Sequence, residues 1–438
     1  MKKFGLFLLD ILALYLALII TLFIRYRDNF EYNYDLHFIP FLFIFSLWLI
    51  IFYITDLYNT NALRNNIYFY SNIFRSITVA SAISITFFYL IPYFNIAPRT
   101  NLFIFIVVSF GLVIFFRSIF NNISEKKFKK PLLIVGVNPQ SLELAKFIEE
   151  NPQIGYELKY ILDLTKGGIR DVDEIIKKER INTIVITPET YQVPEVINMF
   201  YETLENRVTF RNLSSFYEQV TNRVPLGAIN QIWFLENLSE GGKKTYEEMK
   251  RFYDLIFAFI LGIVILPFFP IIAGLIKLSS RGTIFYRQKR VGQNGSTFEI
   301  IKFRTMKADA EKETGAMWAQ KNDPRITKLG GLLRKTRVDE LPQLWNIIKG
   351  EMSFVGPRAE RPEFHEELKG AVPFYEGRYI IKPGLTGWAQ INYHYGSSVA
   401  DTAEKLQYDL YYIKNRSLIL DLGIILKTLN IALRQAGR

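Results

Sequence analysis

Two adjacent carboxylic acids, Asp339 and Glu340, are the residues of this chain best suited to chemistry. Arg334, Lys335 and Arg337 lie just upstream of them. A carboxylate can attack phosphorus or bind a divalent metal, and guanidinium groups neutralise phosphate oxygens. We therefore expect phosphoryl chemistry here, with Asp339 as the nucleophile and Glu340 as the metal ligand. The alternative is an ordinary capped helix that follows a solvated basic segment.

A helix that begins at Asp339 is expected to position this pair. Asp is a favoured N-cap residue, Pro342 falls in the first turn, where proline is tolerated, and Gly350 ends the segment. The unpaired N–H groups of such a helix start would keep Asp339 ionised and would attract phosphate. The residues predicted to form its apolar face follow helical spacing: Leu341, Leu344, Trp345 and Ile348.

The composition limits the class of partner. The chain has 438 residues, enough for two or three domains, and a net charge of +11, which favours anionic lipid or phosphorylated substrates. Half of the residues are hydrophobic and they come in long blocks, which argues against nucleic acid. The absence of cysteine excludes thiolate chemistry and disulfides. The three histidines are too scattered for a His-based zinc site: His37, His365 and His394.

Residues 1–125 contain four apolar blocks long enough to span a bilayer. The predicted transmembrane segments are residues 4–23, 38–54, 73–90 and 102–120. Lysines at positions 2 and 3 and at 126, 127, 129 and 130 flank the four blocks, which predicts that both ends face the cytoplasm. Asp10 lies within the first block and is expected to face a neighbouring helix, in a structural or a functional role.

Residues 131–240 alternate between strand and helix patterns, which predicts a Rossmann-like parallel α/β domain. Its first turn does not carry the complete dinucleotide-binding motif. Gly136, Asn138 and Ser141 stand where G-x-G-x-x-G has three glycines, so close approach of a pyrophosphate is not expected. A regulatory module that senses or interacts is favoured over a nicotinamide site.

Residues 245–438 are predicted to form a third, mainly α domain. It opens with an apolar segment, residues 252–277, that contains Pro267 and Pro270. A proline inside a helix removes a hydrogen bond and kinks the backbone. The segment is therefore either a kinked fifth span or a re-entrant helix that breaks at Pro267 and leaves on the side it entered. Only the second topology keeps the acidic pair in the cytoplasm, where nucleotide-activated donors are found.

Five motifs follow that segment in order. They are Tyr286-Arg-Gln-Lys-Arg-Val-Gly, Ile301-Lys-Phe-Arg-Thr-Met, Val338-Asp-Glu-Leu-Pro-Gln-Leu-Trp-Asn, Ser353-Phe-Val-Gly-Pro-Arg and Pro383-Gly-Leu-Thr-Gly-Trp-Ala-Gln. This series resembles the bacterial sugar transferases known as polyprenyl-phosphate hexose-1-phosphate transferases. With the four spans and the α/β domain, the chain is similar to the long form of that family, the undecaprenyl-phosphate galactose or glucose phosphotransferases. That form starts exopolysaccharide, capsule or O-antigen repeat units.

The resemblance implies a multi-pass enzyme of the bacterial inner membrane with its catalytic domain on the cytoplasmic face. Such an enzyme moves a hexose-1-phosphate from a UDP-sugar to undecaprenyl phosphate and releases UMP. The resemblance further implies a covalent phosphosugar on Asp339, Mg²⁺ on Glu340, a re-entrant helix broken at Pro267, and a homodimer in membrane lipid. The residues expected near substrate phosphates are Lys302, Arg304, Arg334, Arg337 and Arg358.

Two positions depart from the family pattern. Ala359 follows Pro357-Arg358 where many members have Pro-Arg-Pro, so the turn is expected to be less rigid. Leu266 precedes the helix-breaking proline where many members have Ser or Asn, so its side chain cannot bond the freed carbonyl.

Two other functions compete with the transferase. A membrane-anchored nucleotide-sugar dehydratase or epimerase would work through the α/β domain, and the incomplete glycine pattern argues against it. A non-enzymatic scaffold for polysaccharide assembly would need long coiled-coil heptads, which the sequence does not show.

Overall fold

The computed structural model describes residues 2–59, 65–90, 98–127, 129–163, 172–194, 198, 200–201, 208–238, 243–307, 323–393 and 398–433. The chain divides into two compact units, Met1–Leu213 and Ser214–Arg438.

All four predicted apolar segments are helices. They are α1 (Lys2–Tyr26), α2 (Phe30–Ile54), α3 (Ile67–Leu90) and α4 (Pro98–Lys127). A short 3₁₀ turn, Arg27–Asn29, separates α1 from α2, and the rings of Tyr15 and Phe45 lie 4.9 Å apart, so these two helices pair as a hairpin. The stretches Lys3–Ile54, Ile67–Tyr89 and Thr100–Ile123 are long and apolar enough to cross a membrane.

A buried ion pair joins three parts of this helical bundle. Arg117 on α4 donates from Nε to Asp10 Oδ1 at 2.9 Å and from Nη2 to Oδ2 at 2.5 Å. Its Nη1 donates to the carbonyl of Leu57, just after α2, at 2.6 Å. Asp10 therefore faces a neighbouring helix, as expected for an acid in an apolar segment.

The rest of the first unit contains a four-stranded parallel sheet, as the sequence predicts. Its elements are β1 (Lys130–Val135), α5 (Pro139–Glu150), β2 (Tyr156–Leu162), α6 (Val172–Lys178), β3 (Thr183–Ile186) and β4 (Thr209–Asn212). The strands lie in the order β2-β1-β3-β4, and each adjacent pair is parallel. The strongly apolar β1 and β3 occupy the two central positions, where a strand is covered on both faces.

The turn between β1 and α5 is closed by its own side chains. Asn138 Oδ1 accepts from the Ser141 N–H at 2.8 Å, and Ser141 Oγ accepts from the Asn138 N–H at 2.9 Å. This is a capping box. Gly136 has φ +100°, and a Cβ there would collide with Thr187 and Thr190.

The second unit is mainly helical. Its helices are α7 (Leu213–Thr221), α8 (Gln231–Asn237), α9 (Lys244–Ile265), α10 (Phe269–Ser279), α11 (Lys328–Lys335), α12 (Leu344–Lys349), α13 (Pro362–Ala371), α14 (Trp388–Asn392), α15 (Val399–Asn415) and α16 (Leu418–Leu433). Its strands are β5 (Phe285–Val291) and β6 (Thr297–Phe303), which are antiparallel, and β7 (Ser353–Val355) and β8 (Gly384–Thr386), which are parallel.

The segment of residues 214–238, which the sequence groups with the α/β domain, lies in the second compact unit. Its Glu218 pairs with Lys414 at 2.7 Å, and its Arg223 pairs with Glu404 at 2.6 Å. Both partners belong to α15, so ion pairs fix this segment to the C-terminal helices.

Helices α9 and α10 are separated by a 3₁₀ turn, Leu266–Phe268, which contains Pro267. The whole stretch, Lys244–Ser279, is long and apolar enough to cross a membrane. Two buried charges anchor the first half of α9: Lys250 pairs with Asp421 at 2.7 Å, and Asp254 Oδ1 accepts from the Phe354 N–H at 3.2 Å.

Asp10→Ala is expected to destabilise the bundle strongly, because it leaves the Arg117 charge buried without its counter-charge. Removal of one member of a buried ion pair costs about 3–5 kcal/mol. The matched control is Asp173→Ala, whose partner Lys177 lies on the surface, and its effect should be small. Thermal unfolding of detergent-solubilised protein measures both, and an equally small change in the two variants would contradict a structural role for the buried pair.

Candidate active site

The acidic pair lies in a 3₁₀ turn, Val338–Gln343, and not at the start of an α-helix. Arg337 precedes it in the left-handed conformation (φ 60°), and the Glu340 N–H donates to the Arg337 carbonyl at 3.2 Å. The prediction that Asp339 is an N-cap is therefore wrong. The chain reverses after α11 through the positive φ of Arg337, so the cap position falls two residues earlier.

The predicted apolar face of the following helix is also wrong in part. The α-helix proper, α12, begins only at Leu344, and Trp345 is 54% exposed. A 3₁₀ turn has three residues per turn, so it shifts the phase of the helix that follows. Asn346 and Ile347 are fully buried in consequence.

Asn346, the last residue of one of the five motifs, has a structural role that its place in the motif does not reveal. Its Nδ2 donates to the Glu299 carbonyl at 2.6 Å, and its Oδ1 accepts from the Ile301 N–H at 3.2 Å. Both bonds reach β6, the strand that carries Lys302. Asn346 thus fixes the turn of the acidic pair against that strand.

Glu340 is surrounded by three cations. Its Oε1 lies 3.1 Å from Lys302 Nζ and 3.2 Å from Arg358 Nη2, and its Oε2 lies 3.2 Å from Arg337 Nη1. Burial alone would raise the pKa of Glu340, but Lys302, Arg358 and Arg337 together hold this pKa well below its ordinary value. The Glu340 carboxylate is therefore ionised and fixed in position.

Asp339 is equally buried but is held differently. Burial and the neighbouring Glu340 carboxylate raise the pKa of Asp339 to about 6, and Lys302 and Arg334 offset this only in part. A carboxylate with a raised pKa is more basic than its neighbour. The two acids thus differ in environment: Glu340 is the stabilised anion, and Asp339 is the more basic carboxylate.

The structure brings most of the predicted phosphate-binding residues to this pair. Lys302, Arg337 and Arg358 contact Glu340 directly. The charge of Arg334 acts on Asp339, and its Nε donates to Thr305 Oγ1 at 2.8 Å. These cations come from β6, from the last turn of α11 and the residues just after it, and from the turn after β7.

Arg304 is the exception. Its Nη2 donates to the carbonyl and to the hydroxyl of Ser280, at 2.7 and 3.0 Å. Its side chain is therefore committed to the end of α10 and is not directed to the acidic pair. In a continuous strand, residues two apart point to the same face, so Lys302 and Arg304 would point the same way. The strand ends at Phe303, and this lets the two side chains diverge.

Glycines allow a close approach between two of the five motifs, the one that contains β7 and the one that contains β8. The Gly356 N–H donates to the Thr386 carbonyl at 2.9 Å, and the Gly384 N–H donates to the Pro357 carbonyl at 2.9 Å. A Cβ at Gly356, Gly384 or Gly387 would collide with the opposite backbone. This close approach of β7 and β8 fixes the backbone just before Arg358.

The donor set fits a metal that is shared with a substrate. Within the described parts of the chain, no three or more His, Asp or Glu side chains form a metal-binding group. Mg²⁺ is typically bound by one or two carboxylates together with phosphate oxygens and water. Glu340 already accepts from three cations, but a carboxylate has about four lone-pair sites, so it can still give one to Mg²⁺ when a diphosphate supplies the remaining oxygens.

Glu340→Gln and Asp339→Asn are expected to change stability in opposite directions. Loss of the Glu340 charge leaves Lys302, Arg337 and Arg358 close together without their shared anion, which should cost at least about 1 kcal/mol. Loss of the Asp339 charge removes an anion that burial and Glu340 disfavour, so stability should stay equal or rise. Thermal unfolding at pH 8 in EDTA compares the two variants, and equal destabilisation would contradict the different environments of the two acids.

Comparison with known proteins gives two family matches. Residues 245–435 match the bacterial sugar transferase family. Residues 53–208 match a family described as a CoA-binding domain. The first match covers the acidic pair and all of the cations around it.

Curated relatives extend over both units. The chain is 32% identical over 368 residues to the UDP-glucose:undecaprenyl-phosphate glucose-1-phosphate transferase of Klebsiella pneumoniae, covering 76% of this chain and 75% of that protein. It is 42% identical over 192 residues to the UDP-N-acetylgalactosamine-undecaprenyl-phosphate N-acetylgalactosaminephosphotransferase of Aeromonas hydrophila, but this covers only 44% of this chain and 45% of that protein. It is 39% identical over 188 residues to the exopolysaccharide production protein PSS of Rhizobium leguminosarum bv. phaseoli, covering 41% of this chain and 92% of that protein.

The match to the Klebsiella protein runs along three quarters of both chains, and the family match includes the whole acidic site. This protein therefore belongs to the bacterial sugar transferase family.

Proposed function

We propose that this protein transfers a hexose-1-phosphate from a UDP-sugar to undecaprenyl phosphate, releases UMP and so starts the repeat unit of an exopolysaccharide. The names of the relatives support the acceptor and the type of donor. The observation that carries the proposal is the buried acidic pair, in which one carboxylate is held by three cations and the other is left more basic.

The reaction takes two displacements at one phosphorus. In the first, an Asp339 oxygen attacks the sugar-linked phosphorus, and the bond from that phosphorus to the oxygen of UMP breaks, with its electron pair leaving on UMP. In the second, a phosphate oxygen of the lipid attacks the same phosphorus, and the Asp339 carboxylate leaves. The two bulky substrates thus react in turn and do not have to be bound together.

Asp339 is the better nucleophile of the pair. The lone pairs of Glu340 are directed to Lys302, Arg337 and Arg358, which lowers their availability for attack. Asp339 lies next to this positive cluster but keeps a raised pKa, so its oxygen is more electron-rich. The positive charges of the three cations that hold Glu340 can also offset the charge that develops on the phosphate.

Mg²⁺ would be held by Glu340, together with phosphate oxygens of the donor. When bound, it would neutralise negative charge on the diphosphate. The part played by the chain itself is to keep Glu340 ionised and fixed, and the three cations perform that part.

We also propose that α9 and α10 form a re-entrant helix, which keeps the site on the cytoplasmic face. Arg251, near the start of α9, donates to the carbonyls of Ile347 and Ile348 in α12 at 2.5 and 2.7 Å. Ser280, just after α10, accepts from Arg304 at the end of β6. A straight helix would hold positions 251 and 280 about 43 Å apart, at 1.5 Å per residue.

The elements to which the two ends of the helix pair are bonded, α12 and the end of β6, lie much closer together than the length of a straight helix. Asn346, next to Ile347 in α12, bonds to Ile301 of β6, three residues before Arg304. Both ends of the helix pair are thus tied to neighbouring elements, which supports a chain that returns to the side it entered. Exposed apolar side chains at the break, including Leu266 (67%) and Phe268 (57%), suit a tip inserted in hydrocarbon.

Asp339→Asn is expected to lower UMP release at least about 10³-fold, because the nucleophile is removed. The assay incubates purified protein with a panel of UDP-sugars, Mg²⁺ and undecaprenyl phosphate. Without the lipid, the wild type should accumulate a phosphosugar adduct, detected by intact-protein mass spectrometry, and the variant should not. Asp173→Asn, the same change on the surface of α6, is the control. Normal turnover by Asp339→Asn would remove this residue from its role.

Glu340→Gln is expected to raise the Mg²⁺ concentration needed for half-maximal UMP release, or to stop the reaction, because an amide binds Mg²⁺ more weakly than a carboxylate. The matched control is Glu299→Gln, an exposed position on the same strand as Lys302. A metal titration of Glu340→Gln that coincides with the wild type would count against the metal role.

A further inference from the structure

The turn after β7, residues 356–360, decides where the Arg358 guanidinium lies. That guanidinium approaches Glu340 Oε1 at 3.2 Å from the end of a flexible side chain. Its position therefore depends on how firmly the backbone of the turn is held. Pro357 fixes φ just before Arg358, but Ala359, just after it, has no pyrrolidine ring, so the second half of the turn is not made rigid covalently.

Instead, the turn is held through its carbonyl oxygens. Three successive carbonyls each accept a hydrogen bond: Arg358 O from Arg378 Nη2 at 3.0 Å, Ala359 O from Arg290 Nη1 at 3.1 Å, and Glu360 O from the Val291 N–H at 2.9 Å. Two of the three donors are guanidinium groups brought in from other elements. A charged donor makes a stronger and better-oriented bond to a carbonyl than a neutral one.

Arg378 is held on several sides. Its Nη2 also donates to Asp409 Oδ2 at 2.9 Å, and its Nη1 donates to the Tyr375 hydroxyl at 3.1 Å and lies 3.7 Å from Glu360. The side chains of Arg378 and Asp409 are 4% and 2% exposed. Burial raises the pKa of Asp409 to about 6, even with Arg378 beside it.

A buried ion pair such as Arg378 and Asp409 contributes little net stability to the fold. The cost of taking both charges out of water often exceeds their attraction, and apolar residues of similar size do as well or better. What apolar residues cannot supply is a fixed donor for the Arg358 carbonyl. The charge of Arg290 is also in an unfavourable environment, because burial and the nearby Arg358 and Arg361 lower its pKa to about 10.

We propose that Arg378, oriented by Asp409, and Arg290 are positioning residues that fix this turn so that the Arg358 guanidinium stays on Glu340. They act through the backbone of the turn and through Arg358. The proposal rests on the proposed function for its kinetic consequence, but the clamp itself is a property of the fold.

The test is a double-mutant cycle of Arg378→Lys with Arg358→Ala, measured as UMP release. Lysine keeps the charge of Arg378 but loses the planar fork that reaches Asp409 and the carbonyl together. Arg378→Lys alone should lower the rate about 10- to 100-fold, the cost of a misplaced catalytic group. In the Arg358→Ala background it should have almost no further effect, because both variants lose the same interaction.

The control is Arg223→Lys, whose ion pair also reaches α15 but does not touch the turn, and it should retain the wild-type rate. If the reductions in UMP release caused by Arg378→Lys and Arg358→Ala multiply in the double variant, the proposal is overturned, because Arg378 would then act independently of Arg358. A wild-type rate for Arg378→Lys would overturn it as well.

Hydrogen–deuterium exchange separates this inference from the proposed function. Arg378→Lys should speed exchange in peptides that cover residues 353–361, and Arg223→Lys should not. If the wild type released no UMP from any UDP-sugar, the proposed function would fail, while faster exchange would still support the clamp. Unchanged exchange in the turn would refute the clamp whatever the activity.

Discussion

The active site depends on the burial of one carboxylate among three cations. Glu340 is 8% exposed, and Lys302, Arg337 and Arg358 reach it from three separate segments. Each of those cations would repel the others if the anion were absent, so Glu340 is the charge that lets them converge. The same convergence gives the adjacent acid, Asp339, positive surroundings, which under the proposed function would reduce its repulsion from a substrate diphosphate.

The sequence predicts which residues come together at the candidate site better than it predicts their local geometry. Residue type and motif order indicate Asp339, Glu340 and the predicted phosphate-binding residues, and the structure brings all of them together except Arg304. The α-helices and the parallel sheet followed from apolar periodicity. The 3₁₀ turn did not, since it depends on the positive φ of Arg337, a residue type with no preference for that conformation. The exposure of Trp345 and the diversion of Arg304 to Ser280 follow from tertiary contacts that no local pattern records.

Hydrogen bonds to backbone carbonyls are the contacts that are hardest to predict from the sequence. The two glycine-containing motifs around Gly356 and Gly384 are visible in the sequence, but the structure shows that their glycines let two backbones touch. Arg378 carried no motif signal at all, and Arg290 was visible only as one basic residue among several in its motif. Both matter because of the carbonyls they reach, at Arg358 and Ala359. A departure from the family pattern at Ala359 thus has a physical counterpart, because donors from distant elements do what a ring would do locally.

The α/β region illustrates how a family match and a site can differ. Its match is to a family described as a CoA-binding domain, which suggests a nucleotide at the turn after β1. The residues there do not fit a pyrophosphate: Pro139 has no N–H, and Asn138 and Ser141 use theirs on each other. An anion at a helix start needs such groups free. The close approach that Gly136 permits is taken up by the hydroxyl side chains of Thr187 and Thr190, so the glycine serves internal packing at this turn. The parallel α/β sheet is thus present, while the N–H groups of Asn138 and Ser141 are used within the turn after β1.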